Sequence, residues 1–159
     1  MKKQIIKFIT FLSVSSILIF LDQLTKKIAE KELMNKDPKV VIKDIIEFVY
    51  TENRGAAFGI LQNKQIFFYI LTVVVFVVIF YFLYKIDLSV KYIWYFIFLI
   101  LIFSGALGNF IDRVINKYVV DFIYFKPINF PVFNLADIYI TCGAILMFIF
   151  TLPFNSVDE

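Results

Sequence analysis

The chain has 159 residues, 61% of them hydrophobic and only 18% charged, with 21 Phe, 9 Tyr and a formal net charge of +3. Its mean hydropathy is +0.84, and a single domain of this size cannot hide so much apolar surface from water, so lipid is the solvent for much of it. The absence of His excludes Ser-His-Asp and Cys-His catalysis and His-ligated metals; the single Cys excludes an internal disulfide or thiolate cluster; and the small, dispersed charge excludes nucleic acid as a partner.

Four stretches reach the roughly 20 mostly apolar residues that a spanning helix needs. They run at about Ile5–Leu21, Ile66–Tyr84, Tyr92–Ile111 and Val132–Leu152. They predict an all-α membrane protein, one integral domain over residues 1–159, with four transmembrane helices and two long loops at about 26–65 and 112–131. The first span follows Lys2, Lys3 and Lys7 in the manner of a secretory signal. Leu21-Asp22-Gln23-Leu24 lacks a small-x-small cleavage site, so the segment reads as a retained helix ending near Asp22. Four crossings put both termini on one side. The long loops hold more Lys and Arg in total, but the first seven residues carry three Lys and no acid beside the first span, where orientation bias is strongest. The termini are therefore read as cytoplasmic and the long loops as extracytoplasmic.

Between the first two spans, Val40-Val41-Ile42, Ile45-Ile46 and Phe48-Val49-Tyr50 are β-branched and aromatic runs. They predict short strands within Lys39–Leu61, a small β-containing region resting on the membrane face. Gly55 and Gly59 mark tight backbone just beyond.

A charged side chain in hydrocarbon costs roughly 2.5–3.5 kcal/mol or more, so acids in or beside spans point to function. Asp22, Asp112, Asp121 and Asp137 are so placed. Asn134, Asp137 and Thr141 stand at i, i+3 and i+7 on one helical face. A helix cap formed by Asp137, or its pairing with an Arg, is the structural alternative, but a cap needs no Asn one turn earlier. Ser104 and Gly108 form a small-xxx-small pair that admits a neighbouring helix. Asn109, Asp112 and Arg113 converge at the end of the third span. Asp112 has two roles open, a structural pair with Arg113 or another helix, and a functional one. Arg113 can orient a carboxylate, bind an anionic or carbonyl group, or reach for the interface. Asp121 lies among Val119, Val120 and Phe122, a strand or helix edge at the membrane surface.

What remains without His is carboxylate chemistry. Two Asp a few Å apart share one proton, because like charges do not both ionise cheaply. The ionised member takes a proton from water and the protonated member donates to a carbonyl oxygen or a leaving amine. That combination hydrolyses a peptide bond without a cofactor. No Ser has a Lys at a spacing that suggests a Ser–Lys dyad.

Five blocks now stand in order: Asp22-Gln23-Leu24-Thr25-Lys26, Asn53-Arg54-Gly55-Ala56-Ala57-Phe58, Gly105 to Arg113, Val119-Val120-Asp121-Phe122 and Phe133-Asn134-Leu135-Ala136-Asp137. Together they resemble the blocks of lipoprotein signal peptidase (signal peptidase II), and the resemblance covers most of the chain. It implies an aspartic endopeptidase of the bacterial cell (inner) membrane, with its site near the extracytoplasmic face. The implied substrates are diacylglyceryl-modified prolipoproteins held among membrane lipid and cut just before the lipidated Cys. By the same resemblance Asp121 and Asp137 are the catalytic pair, and Asn53, Asn109, Arg113 and Asn134 line the substrate site. Asp22 and Asp112 are structural polar residues, with Asp112 in reserve for Asp121. A monomer is expected, with no metal or other cofactor.

Two other readings compete. A small channel or transporter lined by Asp, Asn and Arg expects polar residues through the whole bilayer depth, whereas here they gather at one end of the spans. A non-enzymatic scaffold expects Asp121→Asn and Asp137→Asn to be harmless.

Overall fold

A computed structural model of the chain describes residues 2–56, 60–86 and 92–151. Gly59, and the connection between the second and third spans beyond residue 86, lie outside them.

No Gly or Pro interrupts the chain before Pro38, and α1 runs unbroken over Lys2–Leu33. Hydropathy places its end near Asp22, but the helix carries on for eleven further residues. At 1.5 Å per residue its 32 residues extend about 48 Å, well beyond a hydrocarbon core of about 30 Å. The excess is amphipathic and packs under a small sheet: Ala29 and Leu33 contact Phe122, with Phe48, Tyr50 and Ile123 around them.

The sheet has three antiparallel strands in the order β1-β2-β3. β1 (Lys39–Ile42) and β2 (Ile46–Asn53) form the hairpin expected from the first loop, with Asp44 left-handed in the turn (φ 58°). β3 (Val119–Phe125) comes from the second loop, which settles its open strand-or-helix reading as strand. In the β2–β3 register Thr51 faces Asp121 and Asn53 faces Val119. Asn53 and Asp121 therefore lie diagonally on one face of the sheet.

α2 (Gln65–Lys85), α3 (Ile93–Asn116) and α4 (Leu135–Thr151) complete the bundle. α1, α2 and α3 are long and apolar enough to cross a membrane, while α4 is a shorter apolar helix of 17 residues. Many of the outward side chains are large and apolar, Ile66 being 73% exposed and Val77 64%. A lipid environment is what that surface requires.

At the bundle end remote from the sheet, Phe11, Ile79, Leu83, Phe96, Leu99, Ile100 and Phe103 form the apolar core. α3 and α4 meet closely because both carry glycine at the contact. A Cβ on Gly105 would run into the Ala136 carbonyl oxygen, and one on Gly143 would come within 2.8 Å of Ile102 Cγ1. A Cβ on Gly108 would land on the Asp22 carboxylate. Ser104 instead turns its hydroxyl back to its own helix, donating to Ile100 O at 2.7 Å. The close approach is thus made by Gly105 and Gly108 rather than by the Ser104–Gly108 pair.

Candidate active site

The sheet end of the bundle contains a cavity of about 430 Å³. Asn53, Asn109, Arg113, Asp121 and Asp137 supply its polar wall, while Phe68, Leu71, Val75, Ile102 and Ile140 line its apolar part. Helices bring Asn109, Arg113 and Asp137 there, and the sheet brings Asn53 and Asp121.

Asn134 caps α4. Its Oδ1 accepts the Asp137 N–H at 3.0 Å, and the Asp137 Oδ2 accepts the Asn134 N–H at 3.2 Å. This reciprocal arrangement is a capping box with Asp in place of Glu. The structural alternative, a helix cap at Asp137, is therefore present in the fold. One carboxylate oxygen serves the cap, and the other, Oδ1, accepts from Asn109 Nδ2 at 2.7 Å. The Asn one turn earlier is the cap itself, so it precedes the helix instead of extending its polar stripe.

Asp121 is 2% exposed. Asn134 Nδ2 donates to its Oδ1 at 2.6 Å and Asn53 Nδ2 to its Oδ2 at 2.9 Å. Burial, and then the nearby Asp137 charge, push its carboxyl up to about 7 against the lowering effect of those two donors. The Asn53 amide is held in turn by Gly55, whose N–H donates to Asn53 Oδ1 at 2.9 Å.

Arg113 stacks over Phe68, its guanidinium carbon 4.4 Å from the ring centroid, and donates to Gly55 O at 3.3 Å. Its Nε is buried and has no hydrogen-bond partner among the described residues. Asp112, one residue away, points elsewhere. Its partner is Lys26, at 3.1 Å, rather than Arg113.

Lys26 and Gln23 carry no assigned role in the sequence reading. Lys26 is 3% exposed, and its ammonium reaches Asp22 at 3.0 Å, Asp112 at 3.1 Å and Asn109 Oδ1 at 2.9 Å. Gln23 Nε2 donates to Asp112 Oδ1 at 3.0 Å and to Gly108 O at 3.2 Å. The available signal was the i, i+4 spacing of Asp22 and Lys26, which matters only if the helix continues past Asp22. The carboxylates of this hub also hold backbone: Asp22 Oδ1 accepts the Ala136 N–H at 3.0 Å, and Asp112 Oδ2, the oxygen that meets Lys26, accepts the Val120 N–H at 3.2 Å. Those are the residues immediately before Asp137 and Asp121. Among the described residues no group of three His, Cys, Asp or Glu is arranged to hold a metal ion.

Comparison with known proteins agrees with this architecture. The family described as Signal peptidase (SPase) II matches residues 14–153. The chain belongs to the signal peptidase II family. A lipoprotein signal peptidase of Clostridium tetani is 44% identical over 144 residues, 89% of this chain and 91% of that one. Another, of Caldanaerobacter subterraneus subsp. tengcongensis, is 50% identical over 130 residues, 81% and 86% of the two chains. A bacterial membrane enzyme solved by the in meso method at 2.3 Å superposes with a TM-score of 0.81 at 35% identity, covering 94% of this chain and 92% of that one. Signal peptidase II proteins are membrane peptidases, and this member is a hydrolase with the helical bundle and small sheet its sequence predicts.

Proposed function

We propose that the chain is an aspartic endopeptidase that removes the signal peptide from diacylglyceryl-modified prolipoproteins, cutting just before the lipidated Cys. The observation that carries this reading is that Asp121 and Asp137 share one cavity wall, joined through the amide of Asn134. Asp121, with its carboxyl near 7, holds the proton and donates it. Asp137 accepts a proton from the attacking water. Asn53, Asn109 and Asn134 orient the two carboxylates, and Arg113, on the same cavity wall, offers guanidinium N–H groups to a substrate carbonyl. The apolar part of the cavity suits acyl chains and the apolar stretch of a signal peptide. The polar residues gather at the sheet end, which the reading puts at the extracytoplasmic face of the cell membrane with both termini cytoplasmic. Asp22 and Asp112 act as supports, and the protein works as a monomer.

The test is cleavage of a purified lipidated prolipoprotein by the detergent-solubilised protein, with the same precursor lacking lipid as control. The wild type is expected to process only the lipidated form, and folded Asp121→Asn and Asp137→Asn variants to process neither. Normal cleavage by either variant would overturn the pairing.

A further inference from the structure

Each carboxylate of the proposed pair is faced by amide N–H groups, and an amide reverses its meaning if it turns over. An Asn that presents nitrogen to a carboxylate donates to it, whereas one that presents oxygen repels it. Two of the three amides are anchored by backbone. The Gly55 N–H holds Asn53 Oδ1, and the Asp137 N–H holds Asn134 Oδ1. Neither donor can become an acceptor, so Asn53 and Asn134 must both present nitrogen to Asp121.

Asn109 is different, because no backbone group anchors its oxygen in this network. Its Oδ1 accepts from Lys26 Nζ at 2.9 Å and from Asn134 Nδ2 at 3.1 Å. Turned over, its NH₂ would face an ammonium and another amide NH₂, and its oxygen would face the Asp137 carboxylate. An ammonium has three donors and no acceptor. In Lys26 all three are directed, to Asp22, Asp112 and Asn109. Two buried carboxylates hold that ammonium in place, since an unpaired charge there would be costly.

We propose that Lys26 is a positioning residue that sets the polarity of the site: through Asn109 it ensures that an N–H, and not an oxygen, faces Asp137. The proposal rests on the two-aspartate reading above. Lys26 itself does not line the cavity. It acts on the base from the far side of Asn109. The charged and titratable groups around this relay are Asp22 and Lys26 from α1, Asp112 and Arg113 from α3, Asp121 from β3, and Asp137 and Tyr139 from α4.

The test compares wild type, Asp112→Asn and the double variant Lys26→Met/Asp112→Asn. The double variant removes one positive and one negative charge, so the hub keeps its net charge. Cleavage of the lipidated precursor is followed as kcat, KM and pH profile, with folding checked by thermal denaturation. Relative to Asp112→Asn, the double variant is expected to lose at least tenfold in kcat with KM within about twofold. Its pH profile is expected to differ from that of Asp112→Asn, because the group that Asn109 turns toward Asp137 differs between the two variants. A folded double variant with the kcat and pH profile of Asp112→Asn would overturn the proposal, as would a loss confined to KM. If the double variant does not fold, Asn109→Asp asks the same question, since its carboxylate accepts from Lys26 but cannot donate to Asp137. Wild-type activity in that variant would equally overturn the proposal. Failure of the wild type to cleave, or normal cleavage by Asp137→Asn, would instead bring down the two-aspartate reading itself.

Discussion

Asp22 and Ala136 stand 114 positions apart, and the Asp22 carboxylate accepts the Ala136 amide N–H at 3.0 Å. That bond ties the middle of the first helix to the opening turn of the last, one residue before Asp137. It also satisfies one of the orphan donors at the α4 N-terminus, where a negative charge is favoured.

Asp22→Leu removes both this acceptor and one partner of the buried Lys26 ammonium. Loss of about 3–5 kcal/mol is expected, the usual cost of breaking a buried pair from one side. Asp22→Asn keeps an oxygen for Ala136 but turns its NH₂ toward the Lys26 ammonium, so it is expected to recover only the backbone contact, about 1 kcal/mol of that loss. Thermal denaturation in detergent checks the order. Equal losses would mean that the backbone contact contributes nothing.

Gly105 and Gly143 distinguish two kinds of close contact. The added methyl of Gly105→Ala meets the backbone oxygen of Ala136, which cannot yield without moving the start of α4. The methyl of Gly143→Ala meets Ile102 Cγ1, a side-chain atom that can rotate, although Phe98 O lies close by at 3.1 Å. Gly105→Ala is expected to cost about 1–3 kcal/mol and to lower kcat at least tenfold. Gly143→Ala is expected to cost less and to spare kcat. Kinetics and denaturation of the two purified variants give the comparison.

Activity is expected to fall as pH rises through about 7, where Asp121 loses the proton it donates. Asn53 holds Asp121 down by donating to its charged form. Asn53→Ala is therefore expected to move this alkaline limb to higher pH while lowering the maximum rate. A limb that stays in place or moves down would contradict the assignment of Asp121 as the acid.

The same carboxyl affects stability. Its folded value lies above the ordinary 3.8, so its contribution is most favourable below pH 4 and is lost between there and about pH 7. Asp121→Asn removes that penalty. Its NH₂ faces one of the two anchored amide donors at every pH, so the expected signature is relative: its melting temperature rises against that of wild type between pH 4 and pH 8. Melting curves across that range test it.

Lys7 is a control far from the site. It is 2% exposed and donates to Ile86 O at 2.8 Å and Tyr84 O at 3.3 Å, closing the C-terminal end of α2. Lys26 stands nineteen positions further on, about 28 Å along α1. Lys7→Met is expected to cost about 1–3 kcal/mol of stability and to leave kcat within twofold. A large loss of kcat in folded protein would show coupling along the bundle.

Much of the site was legible before any fold was known. Asp22, Asp112, Asp121 and Asp137 stood out because carboxylates in or beside apolar spans need a reason, and the asparagines stood out by their place in the five blocks. Lys26 did not. Hydropathy ends the first span at Leu21, and a lysine just past a span, beside Lys27, has the pattern of an interfacial charge. Only the continuation of α1 to Leu33 turns Lys26 inward and Lys27 out. Asp112 was likewise open to Arg113, its neighbour in sequence, because sequence does not fix the directions in which two adjacent helical side chains leave the axis.

Composition alone determined that the chain lies in lipid, since an interior too small to hold so many Phe, Ile and Leu leaves them facing an apolar solvent. Spacing along each helix and strand determined which polar residues share a face, because the backbone repeats at fixed angles. The tertiary structure decided the rest. The register of β2 on β3 put Asn53 beside Asp121, and glycine-to-backbone contact between α3 and α4 put Asp137 beside Asn109. A lysine from α1 then fixed which end of that Asn faces the acid. These contacts join segments as much as 83 residues apart. Local periodicity does not reach so far; they are set by how whole elements pack.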